Sequence, residues 1–414
     1  MKTLIILKSL AKNEKLAWVK NEELENYFLD INIIRKMYSC PELISPDREI
    51  LGKAFGDLVY KRFLEVLITR LGKGCLIVLD PENEACGIFE TLALIFGYTV
   101  FYVVGDIPQD YIGKPKKYQP PYYPTKKRED LEREVQNFLN LQLHDKRQIR
   151  TYQDVENYWS KQVYDTQTFK VKDSDKILHV SDLHSNFSLY NRLPNFSDYR
   201  VIVFHGDYID GPEIGGSRKL IDIALENQKN NIVWLEGNHE LRLRKYLGWK
   251  LLVGGGKKEI QDLLYNSLPD EFLGTTAKEF EDLGPKDAKI YLEEMNVTFK
   301  MFSIIKSQTS TYYCTHGGIR FLEQLSPKFI GNIMYGSRDI NRHDKDFADR
   351  NKRKTIYSVH AHCKYPDKWE PQRYSTVINI DPHDENEIIY AEQQYNKWNI
   401  CLLEKLESNS VKEN

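Results

Sequence analysis

Five short strings of metal-binding side chains follow one another in the second half of the chain. They are Asp182-Leu-His184, Gly206-Asp207-Tyr-Ile-Asp210, Gly237-Asn238-His239-Glu240, Thr315-His316-Gly317-Gly318 and His360-Ala-His362. Each comes directly after an apolar run of strand length. Carboxylate, amide and imidazole donors of this mix suit Mn²⁺, Fe or Zn²⁺. The two-residue spacing of Asp182 and His184 at a strand end turns both side chains to the same side. Two cations held ~3.5–4 Å apart need one bridging carboxylate and separate terminal ligands. Asp207 is the natural bridge. Asp182, His184 and His362 then complete one ion, and Asn238, His316 and His360 the other. No thiolate belongs to the set, whereas structural zinc sites favour cysteines.

These residues need a scaffold that brings successive strand ends together. The runs at 176–182, 199–207, 230–238, 310–318, 356–363 and 376–381 read as buried strands, with chemistry at the ends of the first five. The first half alternates strand and helix. Residues 3–7, 74–80 and 98–104 read as strands, and 14–27, 51–72 and 87–97 as helices, with apolar residues at i, i+3, i+4 and i+7 in the second. Such alternation predicts a parallel α/β sheet. The segment 113–128 carries six basic residues, four prolines and no acid, and a short amphipathic helix is expected after it. The reading divides the chain into an α/β domain at 1–143, a polar linker at 144–175, a second α/β domain at 176–407 and a tail at 408–414.

The chain has 414 residues, of which 41% are apolar and 12% aromatic, which is enough for two real cores and excludes a disordered chain. Its net charge is −2, so a nucleic-acid partner has to be argued from local patches rather than from overall charge. The longest uncharged apolar stretch, 91–105, is shorter than the ~20 residues of a membrane-crossing helix, and no membrane partner is expected. The six cysteines are scattered without a CxxC pair, as suits a reducing cytoplasm.

In order and spacing the five strings resemble the calcineurin-like metallophosphoesterase superfamily, whose pattern is DxH, GDxxDR, GNH(E/D), a lone His and GHxH. The resemblance covers about residues 176–400. It implies a four-layer β-sandwich flanked by helices, two divalent ions (Mn²⁺ first, with Fe, Ni or Zn²⁺ as alternatives) and in-line attack of an activated water on a phosphoester. It makes His239 the general acid and Asp210 its orienting partner, and it places Asn186 near the metals or phosphate. Three departures stand out. The Arg of GDxxDR is missing where GDYID runs into GPEI, Glu236 stands where protein phosphatases carry an Arg before GNHE, and Val359 replaces the Gly of GHxH. Losing two bidentate clamps disfavours a doubly charged phosphomonoester and favours a diester. Arg218, Arg242 and Arg244 are the available substitutes.

A narrower resemblance is to the phosphatase module of bacterial polynucleotide kinase-phosphatases, carried by GNHELRLRKYL and by the ending HAHCKYPDKWEP…TVINID, in which Asp381 matches an Asp of that module. The N-terminal part resembles the kinase module of the same proteins in degenerate form. After LIILK, Lys15 stands where a P-loop lysine would, but Ser9 and Glu14 replace both glycines and Leu16 the Mg²⁺-binding hydroxyl. A kinase-like Asp position is Asn32. A loop without those glycines cannot wrap its N–H groups around phosphates, so ATP binding is not expected.

Other features read more simply. His205 and His179 are expected as satisfied strand histidines, His343 and His383 as surface residues, and Lys15 as a solvated helix lysine. The stripe Lys114–Arg128, with Tyr118, Tyr122 and Tyr123 available for stacking, reads as a nucleic-acid contact or a solvated loop. The expectation is a metal-dependent phosphoesterase acting on nucleic-acid ends carrying a 2′,3′-cyclic or 3′-phosphate. The alternatives are a protein serine/threonine or nucleotide phosphatase, and an inactive nucleic-acid-binding module.

Overall fold

The computed structural model describes residues 2–8, 12–31, 34, 48–80, 87–104, 147–227, 230–255, 257–333, 339–351, 355–361, 374–382, 387–394 and 397–404. Asn32, His362, His383, the basic segment 113–128, the helix expected after it and the tail lie outside the described residues.

The first unit is a parallel sheet in the order β2-β3-β1-β4-β5, with β1 Lys2–Lys8, β2 Phe28–Asp30, β3 Ile77–Asp80, β4 Tyr98–Val104 and β5 Gln148–Ile149. Its strands are apolar on both faces because both are covered. Leu4 and Ile6 pack with α2 (Arg48–Gly72) and α3 (Gly87–Phe96), while Ile5 and Leu7 pack with Val19 of α1 (Lys12–Asn21).

Residues expected as a polar linker are structured. After β5 the chain forms α4 (Tyr152–Gln167), whose Thr151 amide bonds Asp154 Oδ2 at 2.9 Å in a capping arrangement. Tyr152 and Val155 at its start belong to the first unit's core, whereas Trp159 packs on Phe302 of the second. β6 (Thr168–Lys170) then joins a sheet of the second unit.

That second unit is a sandwich. One sheet runs β10-β9-β8-β7-β15-β16 and the other β14-β13-β12-β11-β6. Their ranges are β7 Ile177–Val180, β8 Val201–Phe204, β9 Ile232–Leu235, β10 Phe299–Lys300, β11 Phe302–Lys306, β12 Thr311–Thr315, β13 Ile356–His360, β14 Val377–Asn379, β15 Glu387–Gln394 and β16 Lys397–Glu404. Strict alternation sorts the side chains. Val201, Val203, Val233 and Leu235 point between the sheets with Ile305, Cys314, Val359 and Ile389. Ile202, Phe204 and Trp234 point outward under helices, with Phe204 and Trp234 stacked at 4.0 Å. The principal helices here are α5 (Gly216–Glu226), α6 (Glu240–Leu252), α7 (Pro285–Thr298) and α8 (Ile340–Asn351). Helices outside both sheets make the four layers expected.

The two units share a buried seam. Gly248 of α6 lies so close to α3 that a Cβ there would meet Ile95 at 2.7 Å. Lys2 Nζ reaches Phe96 O at 3.2 Å and Glu236 Oε2 at 3.1 Å, and Arg244 of α6 donates to Glu236 and, at 2.6 Å, to Asn296 Oδ1.

Candidate metallophosphoesterase site

Strands β7, β8 and β9 are parallel to one another, as are β12 and β13, and the chemistry-bearing residues follow their C-terminal ends. The loops there are tightly wound. Of five described non-glycine residues with positive φ, four are His184, Ser185, Asp207 and Asp210, a concentration typical of functional loops. The turns are tied together by the backbone. Leu183 and His184 both donate to Asp207 O (3.0 and 2.9 Å), and Ser185 donates to Tyr208 O. Glu240, fully buried, accepts from the amides of Asp207, Tyr208 and Gly237 at 2.8–3.0 Å, so one carboxylate holds the second and third strings in register. Several glycines are required by this crowding, Gly206 and Gly237 among them. A Cβ on Gly206 would lie 2.8 Å from His316 Nδ1, and one on Gly237 only 2.1 Å from Asp207 Oδ1.

Asp182, His184 and Asp207 present ligand atoms within 4.8 Å of one another. His184 Nδ1 faces Ile209 O at 3.3 Å, a contact in which the ring nitrogen donates, which leaves Nε2 as the ligand atom. His316 is fully buried. Its Nδ1 donates to His205 O at 2.7 Å, and its Nε2 faces Asn238 Oδ1 at 3.1 Å and Asp207 Oδ2 at 3.3 Å. Once that nitrogen gives up its proton, it and the two oxygens form the donor set of a divalent cation. The concentration of charge governs protonation in the absence of a cation. Burial opposes ionisation of His316, but Asp207 and Asp182 outweigh it and hold the imidazole well above its usual range. Asp182 is pushed up, first by burial, against the pull of His316. His360 ends β13 and is fully buried, and the following amide, Ala361, bonds His316 O at 3.1 Å. Six of the seven expected ligands are thus described, Asp182, His184, Asp207, Asn238, His316 and His360, and all stand at one end of the sandwich.

His239 stands at the N-terminal boundary of α6. Its amide bonds Asp207 Oδ1 at 2.9 Å, its Nδ1 lies 3.0 Å from Asp210 Oδ2, and its Nε2 lies 3.7 Å from Asp207 Oδ2. Thr276 Oγ1 donates to the other Asp210 oxygen at 2.7 Å. Burial would lower the His239 pKa, but Asp207 and Asp210 more than reverse this and raise it. Asp210 is held below its usual range because His239, Thr276 and Arg242 overcome the cost of its burial.

The arginines divide clearly. Arg242 Nη1 donates to Asp210 Oδ2 at 2.6 Å, and its side chain is 31% exposed at the histidine. Arg244, expected among the substrate contacts, is instead 1% exposed and engaged by Glu236 and Asn296 at the seam between the units. The alternation of a helix explains it, since two residues on from Arg242 the side chain faces away. Arg218 is occupied by Glu279 O and Asp282. Asn186 is buried directly after the first string, and Asp381 is buried just beyond β14, its amide bonded to Asn379 Oδ1.

Other expectations change. Lys15 is buried, not solvated, with Nζ 2.6 Å from Asp80 Oδ1. His343 is buried on α8 and bonded to Asp344. His205 and His179 are satisfied strand histidines as expected, facing each other at 3.3 Å, with His205 Nδ1 donating to Thr315 O. Sequence reasoning missed Glu240 as a loop tie, Thr276, and Asp344. Only Glu240 carried a signal, as the last residue of GNHE.

A family model described as calcineurin-like phosphoesterase matches residues 175–397, more than half of the chain. The chain therefore belongs to that family, and is a metal-dependent phosphoester hydrolase whose family uses a binuclear divalent metal site. No curated protein matches it. Among solved structures, one described as a putative diadenosine tetraphosphatase aligns with 57% of this chain and 98% of its own, at 14% identity and a TM-score of 0.36.

Proposed function

We propose that this phosphoesterase hydrolyses phosphoesters at nucleic-acid ends, a 2′,3′-cyclic phosphate or a 3′-phosphate, with two Mn²⁺ ions, and that its N-terminal unit is a kinase-like module without ATP chemistry. The observation that carries the substrate reading is the distribution of guanidinium groups. Of the three arginines able to replace the missing clamp, Arg218 and Arg244 are committed to carboxylates elsewhere. Arg242 alone stands at the His239–Asp210 pair, and it shares its charge with Asp210. One shared guanidinium suits the single negative charge of a diester better than a dianionic monoester.

The residues divide the work as follows. Asp182, His184 and Asp207 would hold one ion with His362, and Asp207, Asn238, His316 and His360 the other. When bound, the ions supply Lewis acidity to the phosphoryl oxygens and activate water at neutral pH. His239 gives a proton to the leaving oxygen, and Asp210 keeps Nδ1 protonated so that Nε2 faces the reaction. Arg242 holds a phosphoryl oxygen beside that ring. Asn186 and Asp381 are proposed substrate contacts. The Lys15–Asp80 ion pair supports the absence of ATP chemistry, because the one P-loop-like cation is already neutralised inside the protein.

The test is turnover with Mn²⁺ of matched RNA oligonucleotides ending in 2′,3′-cyclic phosphate, 3′-phosphate or 5′-phosphate, beside a phosphopeptide and a dinucleoside polyphosphate. Preference for the first two, by tenfold or more in kcat/KM, is expected. Preference for the phosphopeptide or the polyphosphate would overturn the nucleic-acid-end reading and leave the family assignment in place.

A further inference from the structure

Helix α8 contributes a buried acidic side chain that neither string nor family match singles out. Asp344 is 1% exposed. Its Oδ2 lies 3.3 Å from His360 Nε2, and its Oδ1 lies 3.1 Å from His343 Nδ1 and 3.3 Å from His360 Nε2. The two imidazoles close on the turn after His316. Gly318 has φ +79°, and a Cβ there would lie 3.1 Å from His360 Cδ2 and 3.2 Å from His343 Cε1. The last helix of the second unit is therefore docked on the turn that carries one expected ligand and on the strand end that carries another.

The hydrogen-bond roles follow from the chemistry of the groups. An ionised carboxylate only accepts, so His360 Nε2 carries the proton. His360 Nδ1 then bears a lone pair. That nitrogen is buried and has no hydrogen-bond partner among the described residues. Leaving such an acceptor unsatisfied in the interior is unfavourable. The ring is not free to turn over, because Asp344 holds the other nitrogen. A cation at Nδ1 accounts for both facts, since metal-bound histidines commonly donate their second nitrogen to a carboxylate that fixes tautomer and orientation.

We infer that Asp344, braced by His343, is the positioning residue that presents His360 Nδ1 to the second metal ion. The inference rests on the binuclear reading of the site. Asp344 touches neither substrate nor ion. It acts by selecting the His360 tautomer and by making that ring a stronger ligand.

The experiment measures metal content and chelator competition on the full chain after Mn²⁺ loading, for the wild type, Asp344→Ala and Asp344→Asn, with far-ultraviolet circular dichroism on each. The wild type is expected to retain two ions. Asp344→Ala should retain one, with the second weakened about 10–100-fold, the effect usual for removing such a carboxylate. Asp344→Asn keeps an acceptor for Nε2 but no charge, and should fall between the two while folding as the wild type does. A purely structural role would weaken both ions together or neither. Two ions with unchanged competition in both variants would overturn the inference and leave the binuclear site standing. A wild type that takes up no ion would overturn both.

Discussion

Replacing Glu236 tests the seam between the two units. Its carboxylate lies between Lys2, 3.1 Å away on β1, and Arg244 on α6, and all three side chains are at most 4% exposed. Two buried cations face one anion. Burial alone would raise the Glu236 pKa, and Arg244 and Lys2 overcome it and hold the carboxyl below its usual range. Glu236→Gln keeps the shape and leaves two cations together without a counter-charge. Breaking a buried pair in this way costs about 3–5 kcal/mol. Lys2→Met leaves Glu236 and Arg244 matched one to one and removes a hydrogen bond to a charged group, a loss of roughly 1.5–3 kcal/mol. The two effects must not add. Once Glu236 is neutral, Lys2 has lost its counter-charge and repels Arg244 while keeping its bond to Phe96 O, so Lys2→Met should cost less in the Glu236→Gln background than alone. Urea unfolding of the four proteins measures this. The pH dependence follows in sign, since Glu236 has a depressed folded pKa. Its contribution is full above the unfolded glutamate value near 4.5 and is lost as pH falls through the folded one. Additivity within ~0.5 kcal/mol would refute the reasoning.

Two further outcomes concern the dyad and the first unit. Asp210 raises the His239 pKa and Arg242 lowers it, so Asp210→Asn should move the alkaline limb of the kcat/KM profile to lower pH and Arg242→Ala should move it to higher pH; shifts in the same direction would count against His239 as the acid. Calorimetric titration with MgATP should give no binding to the wild-type chain, because Lys15 is held by Asp80, and a saturable site would show that the ion pair opens for nucleotide.

The site was more legible in the sequence than its supports. Strands β7, β8 and β9 announce themselves as continuous apolar runs because both their faces are buried, and β12 and β13 as shorter aromatic and β-branched runs, with the ligands directly at their ends. β15 and β16 are not evident because polar residues interrupt both, Glu387, Glu392 and Asn399 among them, and β16 is the sheet's edge strand. α4 looked like a linker because its buried residues serve two different cores, Tyr152 and Val155 one and Trp159 the other, so no single apolar stripe runs along it. The fates of Arg242 and Arg244 cannot be told apart by composition, since only the helix rotation and the buried Glu236, itself paired with Lys2 at the start of the chain, separate them. His343 and Asp344 were hidden for a similar reason. INRHDKDFADRN is strongly polar, and its histidine and aspartate are buried against groups outside the helix, the aspartate on His360 16 residues on and the histidine at the Gly318 turn.

The most direct test of the whole account is hydrolysis of bis-p-nitrophenyl phosphate by metal-stripped protein before and after Mn²⁺ is restored, for the wild type and His239→Ala. Wild-type turnover should appear only with the ion, and His239→Ala should bind the same two ions while losing about 10²–10⁴-fold in rate, the usual worth of a positioned general acid. Turnover that survives chelation, or a His239→Ala rate equal to that of the wild type, would contradict it.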